Sequence, residues 1–403
     1  MNQYIELYNE IKPVLDKQAS PVLNAEREKA INAFTRLGLP TRQTERYRYT
    51  DVVEAFAPDY GLSLSPIDIK GTPYVYAIKD APAEAVTYYN TVADTNDPLT
   101  ALNTALTHDA IVIHVPKGTK AASPIRIENT LEGKQDTMMV RRILIVMDEL
   151  SEATIFMVDH SGKDNNGKFL TLQVVEVVCK EGAHLDMYEL EETDTQCRRF
   201  SNLYVNADAN ATVKHNSVTL SNGTTRNGID IRLQGTGAAA TLNGAVIADR
   251  QQHVDNNTLI DHQTAGCTSN ELYKYVLDDD AVCAFAGKIL VREGAQQTSS
   301  QETNNNMVAS DNARMYTQPM LEIYADDVKC AHGSTVGVMD EAALFYMQQR
   351  GIPVDEARTL LKNAFISQVI DEMQWTAFRD RLHILIDKRL SKEERCGTCN
   401  ICK

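Results

Sequence analysis

The feature that most constrains the fold is a long stretch, residues 110 to 335, in which helical periodicity disappears. Short runs rich in Val, Ile, Leu and Thr recur through it, separated by Gly, Asn and Asp, and they predict strands joined by turns. The clearest runs are AIVIHV (110–115), RILIVM (142–147), TIFMV (154–158), FLTLQVVEVV (169–178), ATVKHNSVTL (211–220), GIDIRL (228–233) and AATLNGAVI (239–247). Their spacing, about 12–20 residues, fits a sandwich, a barrel or a stacked solenoid, although any repeat at a fixed period is only loose. The residues alone therefore predict a long all-β region.

Helical patterns flank this region on both sides. In the first part, apolar residues fall at helical spacing from Ile5, and a second helical pattern ends at Gly38. After Gly337, Asp340 can cap a helix that Gly351 stops. The predicted organisation is a helical and irregular N-terminal part, a β-core, a helical C-terminal part and a Cys-rich tail. Their bounds are 1–105, 106–337, 338–391 and 392–403.

Composition excludes several classes of function. The net charge of −15 argues against a nucleic-acid partner, because binding phosphates requires a basic surface. No apolar run of about 18 residues occurs, so no membrane partner or transmembrane helix is expected. The first residues, MNQYIELYNE, lack the basic-then-apolar order of a signal peptide, and eight cysteines in a chain this long do not resemble a disulfide framework. We expect a cytoplasmic protein with reduced thiols.

One segment, PMLEIYADDVKCAHGSTVG (319–337), carries two metal-ligating side chains. Cys330 and His332 are two positions apart, so in an extended strand they point to the same face. Thiolate and imidazole together suit iron, zinc or copper. Two ligands are fewer than a complete site needs, so a strand end with a buried Cys and a hydrogen-bonded His is the alternative.

The C-terminal helical segments carry more apolar side chains than three short helices can hide. Phe345, Tyr346 and Arg350 precede Gly351, and Phe365 lies on the apolar face of the next helix. Packing against the β-core accounts for part of these faces. We expect the four residues to contribute to a partner surface.

The tail, RCGTCNICK, is the second group of candidate ligands. Cys396, Cys399 and Cys402 have C-x₂-C-x₂-C spacing, which suits an iron–sulfur cluster or zinc. A fourth ligand would come from His383, from another subunit or from an exogenous group. Transient metal binding, a redox role and a tail without function all remain open.

Several segments together resemble SufD, a subunit of the SUF iron–sulfur cluster assembly scaffold. The LEIYADDVKCAHGSTVG stretch and the following DEAALFYMQQRGI and EARTLLKNAF carry the resemblance most specifically, together with HVDNNTLIDH (253–262), ELYKYVLDDD (271–280) and FAGKILVREGAQQTSSQETNNNM (285–307). ERYRYTDV (45–52) is similar to an N-terminal family segment, with Tyr47 where Trp is usual. The paralogous SufB subunits are longer, carry more cysteines and differ at KCAHG, which favours SufD.

The resemblance implies a mainly β fold with flanking helices, its core a right-handed parallel β-helix. It implies a non-catalytic scaffold that pairs with SufB through the β-helix and with the ATPase SufC through the C-terminal helices. Cys330 and His332 would bind iron or a nascent iron–sulfur cluster at the SufB interface, with His332 the leading ligand. A bound flavin is associated with complexes of this family, but the sequence has no flavin motif. Neither Walker A nor a dinucleotide fingerprint occurs, so nucleotide hydrolysis is not expected.

Two other functions are alternatives to this one. A passive structural clamp, with all cluster chemistry in SufB, fits the same sequence. A β-helix enzyme acting on polysaccharides would need a carboxylate-rich groove and export, and neither is indicated.

Single candidates outside the two groups favour structural roles. His253, His262, Asp255 and Asp261 are expected to form polar contacts rather than a metal site. Cys267 and Cys283 are expected in the core. The basic residues Lys274, Lys288 and Arg292, alone on strands, are expected to be solvated.

Overall fold

The computed structural model describes residues 2–64, 73–162 and 166–391. Its strands, in chain order, are β1 (Gly61–Leu62), β2 (Val75–Ala77), β3 (Ile111–Val115), β4 (Ile125–Leu131), β5 (Thr137–Met147), β6 (Glu152–Ser161), β7 (Phe169–Cys179), β8 (His184–Glu192), β9 (Cys197–Ala207), β10 (Thr212–Ser221), β11 (Thr224–Leu233), β12 (Ala239–Ala248), β13 (His253–His262), β14 (Thr268–Leu277), β15 (Val282–Val291), β16 (Thr298–Val308), β17 (Arg314–Ile323) and β18 (Val328–Val338). The helices are α1 (Asn2–Gln18), α2 (Pro21–Leu37), α3 (Val52–Ala55), α4 (Ala83–Val86), α5 (Pro98–Leu106), α6 (Glu341–Gln349), α7 (Val354–Ile370) and α8 (Thr376–Leu390).

From β3 onward the chain winds as a parallel β-solenoid of about eight turns. Odd-numbered strands form one sheet and even-numbered strands form the other, so each coil contributes one strand to each. Phe169 pairs with Cys197, Thr225 with Val254, and Cys283 with Met315, so those coils take 28, 29 and 32 residues. The mainly β fold with flanking helices and a parallel β-helical core is therefore confirmed, while the right hand of the coil stays a prediction.

Tight turns repeat along one edge of the solenoid. Leu150, Gly182, Asn210, Gly237 and Gly266 share a positive φ. Each is followed by a small, fully buried residue; these are Ser151, Ala183, Ala211, Ala238 and Cys267. The turns also bond to one another: Leu150 N–H donates to the Glu181 carbonyl at 3.0 Å, and Gly182 N–H to the Ala209 carbonyl at 2.9 Å. A positive-φ residue reverses the chain, and the small residue after it lets the strand enter the core.

Helices pack against the outer face of each sheet. On the odd-numbered sheet, α1, α2 and α5 form an apolar cluster with residues such as Leu170 and Phe200. On the even-numbered sheet, α7 and α8 pack against Phe156 and Tyr188, with Trp375 and Phe378 stacked between them. The N-terminal segment also reaches along the odd-numbered sheet: Arg46 binds Asp230, Thr50 donates to Asp255, and the Tyr49 ring stacks on Tyr316.

The interior of the solenoid changes from apolar to charged along the length of each strand. An apolar cluster fills the side near the turns just described, with residues such as Ile145, Val177 and Leu233. Charged side chains lie deeper along the middle coils, and several of them are paired. Arg199 binds Asp159 at 2.8 Å and Glu189 at 2.7 Å.

Gly244 on β12 is required by close packing inside the coil. A Cβ atom there would lie 2.1 Å from Cδ1 of Tyr273, whose side chain is fully buried. Gly244→Ala should therefore lower the free energy of unfolding by about 1–3 kcal/mol, as overpacked cores do. Chemical denaturation measures this, with Gly294→Ala as the matched control, because a Cβ at Gly294 would meet nothing within 4 Å. Equal stabilities of the two variants would contradict the prediction.

Candidate functional site

Cys330 and His332 lie on β18, the last strand of the even-numbered sheet. Cys330 pairs with Ser300 and His332 pairs with Glu302, and both of those residues are buried inside the solenoid. Paired residues on parallel strands point to the same side of the sheet. The thiol and the imidazole therefore belong to the inward-facing row of the final coil, as their two-residue spacing predicted.

The pair is accessible because no further coil stacks on β18. His332 is exposed and Cys330 is half-buried, whereas the other thiols that the structure describes are buried. Burial raises the pKa of Cys197 to about 11 and that of Cys283 to about 12, which keeps those thiols protonated. Burial also raises the pKa of Cys330, but a thiol at the open end can reach a metal ion. Cys267 and Cys283 lie in the core as predicted.

The open end does not hold a complete metal site by itself. Within residues 2–64, 73–162 and 166–391, no three His, Cys, Asp or Glu side chains lie close enough together to enclose a metal ion. The pair can therefore supply two ligands, and any others would come from outside the described residues.

Polar side chains fill the interior behind the pair. His262 Nε2 lies 2.9 Å from Ser269 Oγ, which lies 2.6 Å from Ser300 Oγ, directly beneath Cys330. Asn304 accepts a hydrogen bond from Thr317 Oγ1 at 2.9 Å. The final coils thus carry polar side chains in their interior, beside an apolar cluster that includes Ile289 and Val291 and that Cys330 packs against.

The two terminal strands leave their outer backbone edges unpaired in the described structure. β17 ends the odd-numbered sheet and β18 ends the even-numbered one. Large apolar side chains are exposed at this end; they are Tyr316, Ile323, Tyr324, Val336 and Val338. Unpaired edges of ten and eleven residues are templates for another strand. Sequence reasoning did not single out these edge residues, although the Val336 and Val338 alternation beyond KCAHG was a signal.

The predicted partner surface divides into two parts. Phe345 and Tyr346 on α6 are 62% and 59% exposed, and Arg350 donates to the Tyr346 hydroxyl at 3.0 Å. Phe365 on α7 is partly buried, with Lys274 Nζ 4.3 Å from its ring centroid. The structure therefore brings the first three residues together on an open surface and places Phe365 against the solenoid.

Other sequence candidates mostly have partners within the chain. His253 Nε2 lies 2.9 Å from Thr50 Oγ1, which donates to Asp255, and Asp261 pairs with Arg292 at 2.9 Å. The expectation that Lys274 is solvated is wrong, because α7 covers it and burial lowers its pKa. Lys288 forms a surface ion pair with Glu322.

The cysteines of the tail, Cys396, Cys399 and Cys402, lie outside the described residues. His383, considered as their fourth ligand, lies 3.0 Å from Asp371 Oδ1 through its Nε2 atom.

Fold and site together define a β-solenoid that ends in an unpaired coil with the thiol of Cys330 and the imidazole of His332 on its inward face. The chain belongs to the SufBD family: the SUF system FeS cluster assembly, SufBD core domain matches residues 129–365, and the SufBD protein N-terminal region matches 1–77 and 75–127. It therefore has a role in SUF iron–sulfur cluster assembly. No helix in the described parts is both long and apolar enough to span a bilayer.

Individual relatives agree with the resemblance read from the sequence. The iron–sulfur cluster assembly protein SufD of Escherichia coli is 26% identical over 389 residues, covering 89% of this chain and 91% of that protein. An iron–sulfur cluster assembly SufBD family protein of Mycobacterium tuberculosis is 30% identical, covering 71% and 72%. Bacillus subtilis SufD is 25% identical, covering 72% and 67%. The predicted resemblance to SufD is confirmed.

Exposure distinguishes Cys330 from the other described thiols, and labelling can test this. In a chain ending at residue 391, an aromatic disulfide reagent should modify one thiol rapidly, and Cys330→Ala should abolish that reaction. The remaining thiols should react only on unfolding, because they are buried. Any rapidly reacting thiol in the native Cys330→Ala chain would contradict the assignment.

Proposed function

We propose that this protein is a non-catalytic, cytoplasmic scaffold subunit that pairs with SufB through its open coil and binds the ATPase SufC through α6. Iron, or the nascent cluster, is the cargo. The observation that carries the proposal is the inward-facing pair Cys330 and His332 on a terminal strand whose edge is unpaired.

The edge of the open coil supports pairing with a second solenoid. A strand added to β17 or β18 would satisfy backbone N–H and C=O groups that have no strand partner in the described chain. Exposed apolar side chains such as Tyr324 and Val338 would be covered in the same step. SufB, as the paralogous subunit, is the partner we propose.

Such pairing would also complete the ligand set. Cys330 and His332 would then lie at the junction, shielded from water, with the missing ligands supplied by SufB. We assign the leading role to His332, because it is more exposed than Cys330 and a neutral imidazole needs no deprotonation to bind metal.

His332→Ala tests the ligand role. It removes an exposed ring at the open end, so the fold and the complex should persist while cluster formation falls. Iron and sulfide bound to the complex purified from cells, together with the activity of a recipient enzyme, measure the effect. His332→Cys should recover part of the yield because a thiolate also binds iron, and Cys330→Ala should do less harm than His332→Ala.

Two outcomes would change this interpretation. Full cluster yield in an intact complex with His332→Ala would remove the pair from cluster chemistry. Loss of the complex itself would instead favour the passive clamp, in which the open coil serves only to join subunits. Native pull-down distinguishes the two, because the scaffold proposal requires SufB and SufC to be recovered together.

The exposed surface on α6 is the proposed contact for SufC. Phe345 is an exposed aromatic anchor, and truncating such anchors typically costs about 2 kcal/mol or more at an interface. Phe345→Ala should weaken SufC binding in calorimetry without lowering thermal stability. Ile384→Ala is the matched control, since it removes an exposed apolar side chain from α8.

Phe365 should behave differently from Phe345. The ring of Phe365 packs against Lys274 and against the apolar side chains between α7, α8 and the even-numbered sheet. Phe365→Ala should therefore lower the melting temperature. Unchanged SufC affinity in the folded Phe345→Ala chain would exclude α6 as the contact.

For the tail we propose transient binding of iron or zinc by Cys396, Cys399 and Cys402. Deleting residues 396–403 should lower the metal content of the purified chain and leave folding and SufC binding unchanged. Equal metal content with and without the tail would leave only a redox role or no function for these thiols.

A further inference from the structure

Two buried carboxylates lie inside the solenoid directly behind His332. Glu271 on β14 pairs with Glu302 on β16, and Glu302 pairs with His332 on β18. The three residues therefore form one inward-facing row across the last three strands of the even-numbered sheet. Glu271 is 1% exposed and Glu302 is 0% exposed, while the imidazole stands at the open end.

The carboxylates are almost without partners. Both oxygens of Glu302 and one of Glu271 are buried and accept no hydrogen bond from the described residues. A single hydrogen bond reaches the pair within the described chain, from Thr258 Oγ1 to Glu271 Oε2 at 3.3 Å. The mid-solenoid carboxylates Asp159 and Glu189 are held by Arg199, so this chain neutralises buried acids elsewhere.

The opposite sheet makes room for Glu302. Gly287 on β15 faces it, and a Cβ atom at Gly287 would lie 2.5 Å from Glu302 Oε1. Any larger residue would displace the carboxylate. The glycine thus allows Glu302 to extend across the interior instead of turning toward solvent.

Burial raises the pKa of both carboxyl groups, that of Glu302 to about 7. Without an ion the pair would therefore hold protons, and ionising both groups requires a compensating charge, because burying an unpaired ion costs several kcal/mol. Neighbouring strands of a sheet are about 4.7–4.9 Å apart. Two oxygens that flank a small divalent cation at about 2.1 Å each are up to about 4.2 Å apart. The spacing and the combined charge of the stacked carboxylates therefore match one divalent ion.

We propose that Glu271 and Glu302 form an interior binding site for a divalent metal ion, reached from the open end past His332. Water and hydroxyl groups such as that of Thr258 complete the coordination, since no third His, Cys, Asp or Glu in the described residues is near enough. The identity of the ion in cells, iron(II), rests on the proposed scaffold function. The site itself does not.

Manganese(II) is the appropriate probe, because it prefers oxygen ligands over the thiols of Cys330 and the tail. Loss of the free-ion signal in electron paramagnetic resonance counts the ions bound to the full-length chain. Wild type should bind one ion that iron(II) displaces under argon. Glu302→Gln and Glu271→Gln should each lower the affinity at least about tenfold, since even second-shell changes cost 10–100-fold.

Two controls locate the ion. Glu293→Gln removes an exposed carboxylate from a turn and should bind as wild type does. His332→Ala should keep the manganese site, because the imidazole is placed on the entry path and not in the coordination sphere. Thermal melting of each variant establishes that it is folded.

The proposal fails if wild type binds no manganese(II), or if a folded Gln variant at either position binds it as tightly as wild type. It also fails if His332→Ala loses the ion while Glu302→Gln retains it, which would place the ion at the open end. Manganese binding is measured on the purified chain and does not depend on how much cluster forms in cells. Failure of the scaffold proposal in His332→Ala cells would leave the manganese count unchanged.

Discussion

The in-register stacking of successive coils is the interaction on which the rest of the structure depends. Each strand bonds along its length to the strand one coil earlier and one coil later, as in the ten-residue match of β11 with β13. Because the strands pair in register, the inward-facing residues of successive coils align in rows. Ser300 therefore lies beneath Cys330, and Glu302 lies beneath His332. A slip of one residue would turn the pair outward. The orientation of the candidate site residues on the final coil therefore depends on the register of all the coils before it.

The inward-facing rows of residues differ in composition. The apolar rows stabilise the fold, whereas rows with charged residues include the candidate functional groups. Rows next to the repeated turns are apolar and continuous, and they form one large apolar cluster. Rows further along each strand carry charges, and in the middle coils several of these are matched, as Arg199 is with Asp159 and Glu189. Glu191 in the middle coils has no ion pair among the described residues but accepts hydrogen bonds from Thr193 and Thr225. Toward the open end, Glu271 and Glu302 have almost no partners. Burying a polar group without a partner costs free energy, so the position of these two carboxyl groups next to Cys330 and His332 supports a role in binding.

The sequence predicted the class of fold and the orientation of Cys330 and His332 because both follow from the two-residue period of a strand. It did not predict the solenoid period, since coils of 26 to 32 residues blur any fixed repeat. The positive-φ residue followed by a small buried one, as at Gly182 and Ala183, was the repeating signal. Strand β8 was missed because Glu189 and Glu191 face the interior and break the apolar alternation. Lys274 was misjudged because helix packing across a sheet depends on tertiary structure.

Helices cover the middle coils more completely than the final coil, and this difference affects how readily each coil opens. A solenoid behaves nearly as a one-dimensional chain of units, each stabilised by its neighbours, and an end unit has only one neighbour. The middle coils carry helices on both outer faces, whereas β17 and β18 are half-exposed, and α6 packs on α7 rather than over them. Amide hydrogens should accordingly exchange slowly in β9 to β14 and progressively faster toward β18. Cys330 and His332 thus lie on the coil that opens most readily, which would let the binding of a second subunit set their final geometry.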